Sequence, residues 1–118
     1  MNLLVHDFAE ALIKYVFPPD IIDRIVTTYN SSRRTWDLHP QNYVNYFRQG
    51  TATWFQATRQ DPYETGGMNI CDDARPCITE MDLRRNILTR DEPLFNILNT
   101  VYNDQRWNLT GNVSVCPW

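Results

Sequence analysis

Residues 3–30, LLVHDFAEALIKYVFPPDIIDRIVTTYN, decide the fold class. Leu4, Phe8, Ala11, Leu12, Tyr15 and Val16 recur at helical spacing, and Val5, Ala9 and Ile13 add apolar residues beside that stripe. A helix that is apolar most of the way round is usually buried on more than one side. Phe17-Pro18-Pro19-Asp20 interrupts the run. Pro18 disfavours helical geometry at Phe17, while Pro19 suits the first turn of a new helix. Ile21, Ile22, Ile25, Val26 and Tyr29 then restart the periodicity, with Asp20 and Asp23 placed to complement a helix dipole. Two apolar faces this close in sequence predict a packed helical pair around a proline elbow.

Downstream, the alternation in Arg33-Arg34-Thr35-Trp36-Asp37-Leu38 predicts a short strand or an extended connector. A third helix is expected to start with Pro40 at its first position, to carry Tyr43, Val44 and Phe47 on one side, and to stop at Gly50. Thr51 to Arg59 fits either a strand or a helical face, and helix is preferred. Gln60 to Cys77 lacks periodicity and reads as a long loop. A capping-box pattern, Thr79-Glu80-Met81-Asp82, opens a fourth helix containing Leu83, Ile87 and Leu88. The cleanest pattern is the fifth: Leu94, Ile97, Leu98, Val101 and Tyr102, with Pro93 in the first turn. After Arg106 the alternation of Trp107, Leu109, Val113 and Val115 around Gly111 predicts a small β-hairpin or an extended tail. The expectation is a mainly α fold, one compact bundle of four to five short helices over residues 1–118 with that C-terminal appendage.

Bulk properties narrow the class. With 42% hydrophobic and 21% charged residues the chain is globular. No apolar stretch approaches a membrane span, and the N-terminus lacks a basic region ahead of its apolar residues, so an intracellular, soluble protein of cytoplasm or nucleus is expected, with no membrane partner. A formal net charge of −3 argues against general affinity for polyanions. Cys71, Cys77 and Cys116 are an odd count, read in such a compartment as reduced thiols; a local Cys71–Cys77 disulfide is the geometric alternative. The three Asn-x-Ser/Thr sequons, at Asn30, Asn108 and Asn112, are read as coincidence.

No motif carries identifiable chemistry. Five residues separate Cys71 from Cys77, wider than a zinc knuckle, and no second close pair exists, so no metal and no cofactor are expected. There is no nucleophile elbow and no phosphate loop; Gly66-Gly67 is followed by neither a lysine nor a helix start. Asp61, Glu64, Asp72 and Asp73 gather acid in the long loop, which leaves a small enzyme with an acidic-loop site as one alternative.

Two compositional features point elsewhere. Aromatics reach 13%, enough to supply an interaction face as well as a core. Lys14 is the only lysine against ten arginines. Arg serves better at stacked and ion-paired interfaces, and a pathogen-encoded factor avoiding lysine modification inside a eukaryotic cell would show the same bias. The chain is therefore read as a non-enzymatic protein–protein interaction module: an accessory subunit of a larger assembly, or an inhibitor or adaptor docking on another protein. Arg33, Arg34, Trp36, Tyr63, Arg75, Trp107 and Trp118 are the candidate contact residues, because they combine cations and large rings where the helical pattern breaks. The leading alternative, a single-strand nucleic-acid binder, would use Arg33, Arg34 and Trp36 with Arg84, Arg85 and Arg90 to stack bases.

Overall fold

A computed structural model describes residues 3–36, 40–57, 67–71 and 75–103 of the chain. Within them the fold is mainly helical: α1 (Leu3–Ala11) runs into a π-turn (Leu12–Val16), followed by α2 (Pro19–Ser32), α3 (Tyr43–Trp54), α4 (Glu80–Arg90) and α5 (Glu92–Asn103). The predicted hairpin or tail after Arg106 lies outside the described residues.

The central element is α3. It contacts α1, α2, α4 and α5; α1 packs chiefly on α3, and α2 on α3 and α5, rather than the two packing mainly on each other as the elbow suggested. The reason lies in its side chains: Tyr46, Phe47, Gly50, Thr51, Ala52, Thr53 and Trp54 are all buried. A surface buried so widely can seat several amphipathic helices at once. Phe17 leaves the elbow and meets Phe47 edge-on at 5.4 Å, while Tyr29 of α2 tilts against Tyr46 at 5.7 Å. Both joints bind the N-terminal half to α3.

Two predicted boundaries of α3 differ. Pro40 does not start it; Asn42 caps it by accepting from the Asn45 amide at 2.8 Å, and the Pro40 carbonyl accepts from the Tyr29 hydroxyl at 3.0 Å. Gly50 does not end it. A Cβ at Gly50 would stand 3.3 Å from methyl carbons of Leu94 and Leu98, so glycine serves there to let α5 approach. The helix stops instead at Gln56, which adopts a left-handed φ of 54°; Gln56 N–H donates to Thr53 O and Ala57 N–H to Ala52 O. That is the paired closure of a Schellman turn, built on a residue other than glycine. Gln56 is held there in part by its side chain, which donates to the Ile78 carbonyl at 2.7 Å.

Arg33–Thr35 form a 3-10 turn, neither strand nor extended connector. That turn delivers Trp36 into the core, fully buried. Its indole N–H donates to Asp91 Oδ2 at 3.1 Å, and the Tyr46 hydroxyl donates to the same oxygen at 2.5 Å. Asp91 is the single residue between α4 and α5. Its own N–H closes α4 on Ile87 O, and its Oδ1 accepts from the Leu94 amide at the start of α5. Burial first, and the neighbouring Asp91 second, push the Tyr46 phenol far above its ordinary range. It therefore stays a donor at any ordinary pH.

The long loop is partly anchored. Met68 is buried in the core, and Asn86 of α4 donates to the carbonyls of Met68 and Ile70 at 3.1 and 2.9 Å. The capping box at Thr79 forms as its sequence implies, with Thr79 and Asp82 exchanging side-chain-to-backbone bonds.

The Asp91 cluster makes a quantitative prediction. Asp91→Ala strands two buried donors and removes a helix cap, and should cost about 3–4 kcal/mol in urea unfolding. Asp91→Asn retains one acceptor oxygen and should cost roughly half as much. Equal, small losses for both variants would show that the cluster contributes little.

Candidate docking face on the first helix

The apolar residues of α1 and of the π-turn that continues it divide into two stripes. Ala9, Leu12 and Ile13 face inward and are buried, with Phe17 continuing the line. Leu4, Phe8, Tyr15 and Val16 face outward, with relative exposures of 81%, 49%, 83% and 47%. The periodicity puts Leu4, Phe8, Ala11, Leu12, Tyr15 and Val16 on the main stripe; of these Leu12 is buried, and Ala9 and Ile13 of the neighbouring stripe join it in the core. The π-turn takes part in this division. Its i to i+5 closure, Phe17 N–H to Leu12 O at 2.8 Å, lets Leu12, Ile13 and Phe17 stay inside while Val16 swings out. Large side chains at this exposure, in line on one helix, form a patch of the kind that marks interaction sites.

A polar margin runs beside the stripe. Lys14 Nζ lies 3.0 Å from Glu10 Oε1, and Arg48 of α3 reaches Glu10 Oε2 at 3.8 Å. Arg48 Nε also donates to His6 Nδ1 at 2.9 Å. His6 is thus turned towards α3 rather than towards solvent. Burial, then the Arg48 guanidinium, lower the His6 pKa from its usual 6.5, against the opposing pull of Asp7 and Glu10. The Lys14 hydrogen bond and charge lower Glu10, and Glu10 correspondingly raises Lys14. This margin is consistent with the rotation of α1 that the burial of Ala9, Leu12 and Ile13 sets.

The residues singled out from the sequence do not converge on one surface. Trp36 is interior, which removes it from any docking face; its ring is covered by the Arg90 guanidinium, 4.6 Å from the centroid. Trp54 is also buried, with Arg84 lying 4.4 Å from its ring centroid. These arginines spend their cation–π contacts within the chain. Arg34 is exposed on the 3-10 turn, where Arg33 contributes backbone. Arg75 is exposed beside an open groove that also takes in Arg85 and Asp82. Tyr63, Trp107 and Trp118 lie outside the described residues, as do His39, Cys116, the acidic residues Asp61, Glu64, Asp72 and Asp73, and the sequons at Asn108 and Asn112.

The expectation of free thiols is overturned for two cysteines. Cys71 and Cys77 form a disulfide with a Cα–Cα distance of 5.0 Å. The cause is local pairing. Ile70 and Pro76 form an antiparallel bridge, Cys71 N–H donates to Arg75 O at 2.7 Å, and Cys77 N–H to Asn69 O at 2.9 Å, so the two cysteines flank the bridge as close diagonal neighbours within disulfide reach. Such pairs persist mainly in oxidising compartments, and this one removes the reduced-thiol support for an intracellular location.

Among the described residues no three of His, Cys, Asp or Glu stand together as a metal would require, and no helix is long and apolar enough to cross a membrane. Compared with protein-family models, curated proteins and solved structures, the chain matches none.

The depressed His6 pKa gives a signed prediction. The fold favours the neutral ring, so His6 contributes its stability fully above pH 6.5, and that contribution is lost as pH falls below that value. The melting temperature should decline between pH 7 and pH 5.5, and His6→Gln should flatten that decline. An identical decline in both proteins would remove His6 as its source.

Proposed function

We propose that this chain is a non-enzymatic protein–protein interaction module that docks through the outward face of α1. One observation carries the reading: Phe8, Tyr15 and Val16, in line with Leu4, hold a second apolar stripe in solvent while the first completes the core. Aromatic side chains are costly to leave wet and dominate interface hot spots. Their exposure along α1 and the π-turn that continues it, beside the Arg48 contacts to His6 and Glu10, presents an ordered helical surface of the helix-in-groove kind. As an accessory subunit, inhibitor or adaptor, such a module needs no catalytic group of its own.

Other surfaces offer less. The groove between α2 and α5, lined by Arg24, Thr27, Glu92 and Asn96 among others, is shallow and open. Of the residues that motivated nucleic-acid binding, Trp36 is buried under Arg90 and Arg84 lies over the Trp54 ring, so that alternative keeps the exposed Arg34 and Arg85 but loses its stacking ring. The disulfide groove holds one carboxylate and two guanidinium groups, a mixture without a reactive pair.

Photo-crosslinking in the producing cell tests the proposal. A photoreactive phenylalanine at position 8 or 15 should yield a covalent adduct with a protein, and the same probe at the exposed position Asp23 on α2 should not. Absence of any protein adduct at both α1 positions would contradict the reading.

A further inference from the structure

Building on that docking face, we propose that its occupant is a second copy of this chain, joined through antiparallel packing of two α1 helices about a two-fold axis. The stripe is self-complementary. An isologous contact requires that each residue find an acceptable neighbour when the helix is reversed on itself. Reversal about a point between residues 9 and 10 sets Leu4 opposite Tyr15 of the second copy and Phe8 opposite its Ala11. Each large ring is matched with a smaller group, and Ala11 lets the helix axes approach at the centre.

The margin obeys the same symmetry. Asp7 and Lys14 lie on one flank of the stripe, two helical turns apart, and their side chains are 71% and 56% exposed. In an antiparallel pair related by a two-fold axis, a flank meets the same flank of its partner. Asp7 therefore comes alongside Lys14 of the second copy, offset by less than about 3 Å along the axis, since the π-turn at residues 12–14 rises less than the ~1.5 Å per residue of an α-helix, and the pair occurs twice. Glu10, near the axis, would approach its symmetry mate. Each Glu10 is already neutralised by Lys14 at 3.0 Å and Arg48 at 3.8 Å within its own chain. The same margin disfavours a lipid occupant: Lys14 is the only lysine in the chain and is paired with Glu10, with Asp7 on the same flank, the reverse of the basic face that binds anionic bilayers.

One short helix per copy gives a small interface, so association in the range of about 10–100 µM is expected. Sedimentation equilibrium of the full chain from 5 to 500 µM should show a monomer–dimer equilibrium. Phe8→Ser with Tyr15→Ser should weaken it at least about 30-fold; Tyr15→Ser alone, at a residue 83% exposed, should weaken it less while leaving the thermal melt of dilute protein unchanged. Asp7→Lys alone should weaken dimerisation about 3- to 10-fold, and Asp7→Lys with Lys14→Glu should recover most of that loss. A wild-type chain that stays monomeric at 500 µM, a dimer indifferent to the serine variants, or a charge swap that restores nothing would each overturn the second-copy proposal. The position-8 crosslink separates the two readings. An adduct of twice the chain mass supports the dimer; an adduct with a different protein overturns the dimer and leaves the docking face standing; no adduct removes both.

Discussion

Asp91 occupies the single-residue gap between α4 and α5, and its carboxylate is where three distant segments of chain meet. Trp36 arrives from the 3-10 turn, Tyr46 from α3 and the Leu94 amide from α5. An acidic side chain 3% exposed would be costly to bury without donors. Here each donor is itself buried and would be orphaned without the acid. The dependence is mutual, which makes the cluster specific for one arrangement of the helices. The same residue ends one helix and caps the next, so the direction of α5 is set by the same group that holds Trp36.

From this joint the rest of the packing follows. α5 leaves Asp91 and lays Leu94 and Leu98 against α3 at Gly50, where the absent side chain permits the approach. Trp54 is covered by Arg84 of α4, and Trp36 by Arg90 near the end of the same helix. α1 and α2 then close the remaining sides of α3, with Phe17 and Tyr29 as their points of entry. What α3 cannot accommodate is the second apolar stripe of α1. Helix α1 and its π-turn carry more apolar surface than α3 covers, and the surplus is the face proposed for docking.

Much of this was legible in the residues. The mainly helical class, the capping box at Thr79 and the buried positions of α5 follow from periodicity and cap chemistry, which are local. What could not be read depends on contacts distant in sequence. Trp36 reads as an exposed ring beside two arginines until Asp91, 55 residues away, takes its indole N–H. Gly50 has the signature of a stop, and only the approach of Leu94 and Leu98 makes it an interior position. On α1 both stripes were visible, but their assignment to core and solvent turns on the π-turn and on which face α3 covers, neither of which has a local signal. The Cys71–Cys77 pair needed the Ile70–Pro76 bridge to bring its partners together. Asp91-Glu92-Pro93 did carry a usable helix-start signature, an acid followed closely by proline.

The claim on which the account rests is that Trp36 is locked to Asp91 in the native core. The exchange rate of the Trp36 indole proton, followed by nitrogen-15 NMR at neutral pH, reports on that bond directly. The account predicts protection as strong as that of the most protected α3 amides, exchanging only through global unfolding. Exchange at the rate of a free indole, while the α3 amides stay protected, would contradict it.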